Sequence, residues 1–214
     1  MILSRAETKA LYDKISKVYD LLSESTEGPV REAGLQMLAP QPGETVLEIG
    51  YGTGHALVGL ARAVGPSGKV HGIDLSGGMR AVADSLVRQQ GFVGIVELRT
   101  GDATALPYPA DSFDAIFMSF TLELFDTPEI PVVLAQCRRV LKPGGRIVVV
   151  GMSKEGKHGL IYEAYEWTHQ HFPNFVDCRP IFVSRVIAAA GFQVIEKTTL
   201  QIWVPMEIVR AEKR

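Results

Sequence analysis

Two cysteines, Cys137 and Cys178, are all that a chain of 214 residues contains. That count excludes a disulfide framework and a cysteine-rich zinc site, and it fits a reducing, cytoplasmic compartment. No apolar run reaches the roughly 18 residues that mark a membrane-spanning helix. The start, Met1-Ile2-Leu3-Ser4-Arg5, lacks the basic region and long apolar stretch of a signal peptide. Neither sign of charge dominates: 22 basic residues face 24 acidic ones, for a formal net charge of -2. A nucleic-acid binder usually shows a basic excess, so nucleic acid is not an expected partner. Internal repeats and low-complexity segments are also missing. Peripheral membrane contact and oligomeric state stay open.

What is there suits one globular domain over residues 1–214, long enough to bury a large core without staples. Hydrophobic residues make up 46% and charged residues 21%. A helix is expected over 5–22, broken at Gly28-Pro29, with a second helix over 30–39. From residue 45 strands and helices alternate. Strands are expected at 45–49, 70–73, 93–100, 113–119 and 146–150. Leu57, Leu60, Ala61 and Val64 recur at helical spacing. Ser76 reads as the N-cap of a helix ending near Gly91. Val133, Cys137, Val140 and Leu141 share another helical face, so Cys137 reads as core. This alternation predicts an α/β fold, a doubly wound and mostly parallel sheet with helices on both faces. The apolar run Ile147–Val150 suits a doubly buried strand. A helix at 182–190 and two strands near 193–200 and 202–210, antiparallel at a sheet edge, complete the chain.

The strongest chemical signal is Glu48-Ile49-Gly50-Tyr51-Gly52-Thr53-Gly54, between a strand and a helix. Glycines there let backbone approach a ligand, and the helix start offers free N–H groups. The spacing does not match the dinucleotide fingerprint, whose third glycine falls one residue later. The acid Glu48 would repel a pyrophosphate and would suit an ammonium or sulfonium group. Asp74 ends the second strand, where a carboxylate can take both hydroxyls of a ribose; a helix cap or solvated turn is the plainer alternative. Asp102, in Gly101-Asp102-Ala103 after the third strand, can take an adenine amino group or can be a simple turn aspartate.

Glu48-x-Gly50-x-Gly52-x-Gly54, Asp74, Gly101-Asp102-Ala103 and Val140-Leu141-Lys142-Pro143-Gly144-Gly145 stand in the order and spacing of class I S-adenosylmethionine-dependent methyltransferases. The chain resembles that family over about residues 40–150. Tyr12–Asp20, Leu106-Pro107-Tyr108 and Asp111-Ser112-Phe113-Asp114 are similar to the ubiquinone/menaquinone-biosynthesis C-methyltransferase group. The resemblance implies a Rossmann-like sheet of seven strands with the last antiparallel, an N-terminal helical cap at 1–40 and a cofactor-binding core at 41–152. An acceptor-site insertion would cover 153–180, with the C-terminal helix and strands at 181–214. It implies S-adenosylmethionine as cofactor and S-adenosylhomocysteine as product. Gly50, Gly52 and Gly54 would line the methionine part, Tyr51 would also contact the cofactor, and Glu48 would orient its amino group. Asp74 would hold the ribose, Leu75 and Met79 would flank the adenine, and Asp102 with Ala103 would read its edge. Ser119 would contact the sulfonium region and Tyr19 would close over the cofactor. The segment Ser119–Asp126 departs from the Gly/Arg/Asn-type stretch of the quinone enzymes, being apolar with an acid at Glu123.

Methyl transfer asks the protein to align a nucleophile and exclude water; a base is needed only if the acceptor must lose a proton. The expected acceptor is a small, apolar or aromatic molecule: a quinone precursor, a lipid-like molecule or a natural product. A mean hydropathy of +0.11 leans the same way. Tyr12, Phe120, Tyr162 and Trp167 are the candidate acceptor contacts, with His169 or Glu123 as base. His158, Tyr162, Tyr165, Glu166 and His169 fall near one helical face, which is either an aromatic cap or a solvated helix packing ordinary aromatics. No metal is expected, since His169 and His171 point to different faces of a helix. A cofactor-binding regulatory protein without turnover and a nicotinamide oxidoreductase are the rival functions.

Overall fold

A computed structural model describes residues 7, 10–13, 19–155, 179–202 and 204–214. The elements in chain order are α1 (Tyr19–Leu38), β1 (Thr45–Ile49), α2 (His55–Val64), β2 (Lys69–Asp74), α3 (Gly77–Gln89) and β3 (Val96–Thr100). Then follow β4 (Phe113–Ser119), α4 (Ile130–Val140), β5 (Leu141–Met152), α5 (Val183–Ala189), β6 (Gln193–Gln201) and β7 (Pro205–Glu212). One seven-stranded sheet runs in the order β3-β2-β1-β4-β5-β7-β6. The pairs from β3 to β5 are parallel, and β7 runs antiparallel to both β5 and β6. The last strand thus lies inside the sheet, and β6 forms the edge.

Strand alternation sends neighbouring residues to opposite faces. Leu47, Ile49, Ile116, Met118, Ile147 and Val149 pack with Val133, Cys137, Val183 and Ile187, from α4 and α5. Val46, Ala115, Phe117, Val148 and Val150 pack with Val30, Leu38, Leu57 and Leu60, from α1 and α2. The run Ile147–Val150 is fully buried on both faces. Cys137 is core, and burial pushes its thiol up to about 12. No helix of the described residues is long and apolar enough to cross a membrane.

Two local expectations fail for physical reasons. Gly28-Pro29 does not break the N-terminal helix; Pro29 lies exposed inside α1. An internal proline costs ~3 kcal/mol. Val30 and Leu38 are fully buried and Leu35 nearly so, and each contributes ~1.5–3 kcal/mol, so docking on the sheet wins. The third strand starts at Val96 rather than Val93, because Phe92 N–H donates to Val87 O and Ile95 N–H donates to Phe92 O. Those turn bonds leave Val93 exposed.

Candidate functional site

The strand order reverses between β1 and β4, and that is where open α/β sheets bind ligands, beyond the carboxyl ends of the strands. A cleft of about 970 Å³, counting its open mouth, lies there. Its walls include Ile49 and Gly50 from β1, Ile73 and Asp74 from β2, Gly101 and Asp102 after β3, and Ser119 ending β4.

Each glycine of the loop does a different job. Gly50 (φ +72°) donates to Ile73 O at 2.8 Å, and a Cβ there would strike the Thr121 side chain. Gly52 (φ +51°) donates to Asp74 Oδ2 at 2.9 Å. A Cβ on Gly52 would meet nothing within 4 Å, so this glycine leaves space in the cleft wall rather than in the core. Gly54 (φ +95°) precedes α2, and its missing Cβ lets Ala83 of α3 approach, since an added one would lie 3.0 Å from Ala83 Cβ. It supports helix packing and does not line the cleft.

The Asp74 carboxylate accepts from both Gly52 N–H and Ser76 N–H, the latter at 2.8 Å. It therefore ties the glycine loop to the start of α3. Burial pushes its carboxyl up, against the pull of those amides. Glu48 is only 2% exposed, and its Oε2 atom has no hydrogen-bond partner. Burial raises its carboxyl well above the usual carboxylate range, Arg31 pulls it down and Asp74 pushes it up again. A buried carboxyl with an unpartnered oxygen and a half-buried one that repels it are the chemistry that an ammonium group relieves. The Ser119 Oγ atom is likewise buried without a partner on the cleft wall. Asp102 accepts from Thr104 N–H and Thr104 Oγ1, both at 2.8 Å, and with Ala103 lines the cleft. Leu75 and Met79 line the cleft beside them.

The structure thus brings Gly50, Gly52, Asp74, Leu75, Met79, Asp102, Ala103 and Ser119 to one cleft, with the acceptor candidates Tyr12 and Phe120 on the same walls. Glu48 is buried among the neighbouring residues of β1. Tyr51 faces elsewhere: its hydroxyl donates to Arg99 O at 3.2 Å, and its ring fills the space above Gly72. Glu123 is 1% exposed and accepts from Met152 N–H at 3.0 Å. Its carboxylate seats over Gly151 and does not line the cleft, although Leu124 and Phe125 beside it do. Tyr162, Trp167, His169 and the rest of 156–178 lie outside the described residues, as does the side chain of Tyr19.

The sequence reading missed two contributors, Asp13 and Thr121. Asp13 Oδ1 accepts from Ser76 Oγ at 2.6 Å and from Gly78 N–H at 2.8 Å. It caps α3 from the N-terminal segment and sets Tyr12 against the cleft. Thr121 lines the cleft and donates to Ser119 O at 2.9 Å. Phe120 adopts φ +51°, a left-handed backbone that is rare for a bulky residue. The Ser76 cap was legible from its type; the Asp13 contact spans 63 residues and left no local signal.

A family described as a methyltransferase domain matches residues 46–145. The chain is 34% identical over 157 residues to a 2-phytyl-1,4-naphtoquinone methyltransferase of Synechococcus elongatus, covering 72% of this chain and 66% of that one. It is 33% identical over 169 residues to a demethylmenaquinone methyltransferase of Lactobacillus johnsonii, covering 77% and 68%. The chain thus spans about two thirds of the length of these relatives. A solved structure of a SAM-dependent methyltransferase from Aquifex aeolicus superimposes with a TM-score of 0.67 at 27% identity, covering 86% of this chain and 89% of that one. Sequence likeness, strand order and the glycine-loop cleft agree: the chain belongs to the class I S-adenosylmethionine-dependent methyltransferases.

Proposed function

We propose that the chain is a single-domain enzyme that transfers a methyl group from S-adenosylmethionine to a small apolar or aromatic acceptor. The observation that carries this reading is the cleft at the sheet's reversal point, with open space at Gly52 and Asp74 tied to the glycine loop on its wall. When bound, the cofactor supplies an electrophilic methyl on a sulfonium. The protein's part is alignment and exclusion of water. In this reading Gly50 and Gly52 admit the methionine moiety, Glu48 faces its amino group, Asp74 takes the ribose hydroxyls, and Leu75, Met79, Asp102 and Ala103 enclose the adenine. Phe120, Leu124, Phe125 and Tyr12 form the apolar wall on which the acceptor lies. His169, Tyr162 and Trp167 belong to the proposed acceptor-site insertion at 153–180, with His169 as its base. Glu123, hydrogen-bonded to backbone away from the cleft wall, is better suited to holding the end of β5 than to moving a substrate proton. Two relatives carry quinone-type acceptors in their names, which makes a naphthohydroquinone the first acceptor to try. A cytoplasmic location and the lack of a nucleic-acid partner complete the proposal.

The experiment is an incubation with S-adenosylmethionine and a panel of naphthohydroquinones, catechols and long-chain alkenes, read by mass spectrometry. The reading expects S-adenosylhomocysteine together with an acceptor heavier by one methylene. S-adenosylmethionine binding without transfer to any member would favour a regulatory protein instead.

A further inference from the structure

Ser76 joins three segments of the chain. Its N–H donates to Asp74 Oδ1 at 2.8 Å, at the end of β2. Its Oγ atom accepts from Met79 N–H at 3.0 Å, which caps α3 from within. A hydroxyl has a single proton to give, and this one goes to Asp13 Oδ1 at 2.6 Å. The same Asp13 oxygen accepts from Gly78 N–H at 2.8 Å. One carboxylate of the N-terminal segment thus takes two donors at the start of α3. Ser76 is 1% exposed, so its hydroxyl would be left buried without an acceptor if Asp13 moved off, and a buried donor without a partner is destabilising. Asp13 itself is not on the cleft wall, but its neighbour Tyr12 is, with Asp74, Leu75, Ser76 and Met79. The two residues share a peptide bond, so Tyr12 cannot swing away from the wall while Asp13 stays seated.

We infer that Asp13 is a positioning residue for the cofactor: seated on Ser76 and Gly78, it holds Tyr12 against the occupied cleft and slows the cofactor's release. The inference rests on the methyl-transfer reading and adds to it a residue that acts through Ser76. Capping alone does not account for Asp13, because α3 already has its own N-cap in Ser76. Charge supplies the coupling to the ligand. The Asp13 and Asp74 carboxylates flank Ser76, and Asp13 pushes the Asp74 carboxyl up. Seating Asp13 therefore brings a second negative charge toward Asp74. Hydroxyl donors on a ligand at Asp74 stabilise that carboxylate and offset the repulsion. A ligand at Asp74 and Asp13 at α3 thus favour each other, and linkage makes the preference mutual.

Calorimetry and stopped-flow dissociation of S-adenosylhomocysteine test this on the wild type, Asp13→Ala, Ser76→Ala and the double variant. Asp13→Ala should raise Kd by about 5- to 30-fold, carried mainly by faster dissociation. Because Asp13 acts through Ser76, its removal should matter at least about twofold less in the Ser76→Ala background than in the wild type. If Asp13→Ala does not fold, Asp13→Asn takes its place, with an expected loss of about 2- to 5-fold from the missing charge. A folded Asp13→Ala protein with a lower Tm but wild-type Kd and dissociation rate overturns the inference and leaves Asp13 as a cap of α3. An equal loss in both backgrounds overturns it too, since Asp13 would then act independently of Ser76. A wild type that binds no S-adenosylhomocysteine counts against the methyl-transfer reading and takes this inference with it, whereas intact binding untouched by Asp13→Ala sinks the inference alone.

Discussion

Replacing Gly52 by alanine should separate binding from folding. Its backbone sits at φ +51°, and an added Cβ would meet no heavy atom within 4 Å. The folded protein therefore bears only the left-handed backbone cost of an L residue, ~1–2 kcal/mol. For a chain of this length that lowers Tm by about 2–8 °C. The cost to binding is separate, because the methyl projects into the space reserved for the ligand. Overfilling a close contact costs ~1–3 kcal/mol, or about 5- to 150-fold in Kd. Thermal melts and calorimetric titration with S-adenosylhomocysteine measure the two effects independently. Gly50→Ala is the contrast: its Cβ would lie 2.8 Å from Thr121 Cβ and closer still to Thr121 Oγ1 and Cγ2. It should lose more stability than Gly52→Ala, because two loops must part. Wild-type affinity in a folded Gly52→Ala protein would refute the placement of ligand against this loop.

Asp74→Ala should weaken S-adenosylhomocysteine by ~1–3 kcal/mol through lost charge-assisted hydrogen bonds; unchanged affinity in a folded variant removes the ribose assignment. Glu48 is held above its usual range by burial, so its contribution to stability falls as pH rises from the unfolded value toward the raised folded one. Glu48→Gln should therefore melt higher at neutral and alkaline pH while binding more weakly, and the loss of affinity on acidification expected of the wild type should flatten. For Glu44, burial pushes the carboxyl up, but the Arg146 guanidinium and the Gln41 amide bring it below its usual range. That stabilisation is present above the unfolded value and is lost as pH falls through the lowered one. Glu44→Gln should cost ~1–2 kcal/mol at pH 7 and converge with wild type in acid unfolding. Phe117→Ala, at a fully buried ring between the sheet and α1, should cost ~3–5 kcal/mol in denaturant melts.

The fold was legible where the signal is local and periodic. Apolar runs with turn residues at both ends marked β1, β2, β4 and the buried half of β5, and Ser76 announced α3 through its hydroxyl. The break assigned to Gly28-Pro29 failed because propensity is a weak force beside the burial of Val30 and Leu38. The interior position of β7 was not legible, since strand order is a long-range property; the family resemblance supplied only its antiparallel direction. At the site, the residues that face the ligand through backbone or short polar side chains stood out by type and spacing. Tyr51 and Gly54, in the same motif, turned out to brace β2–β3 and pack α2 on α3. A glycine facing open space and one facing a neighbouring helix look alike in a sequence. Asp13 capping α3 depends on a tertiary contact between segments far apart in the chain.

The central claim is that the cleft lined by Gly52 and Asp74 takes S-adenosylmethionine. Calorimetric titration with S-adenosylmethionine, S-adenosylhomocysteine and NAD tests it most directly. The account predicts micromolar binding of the first two and none of NAD, with the signal lost in Gly52→Val. Binding of NAD instead, or no binding of either sulfur compound by the folded protein, would contradict it.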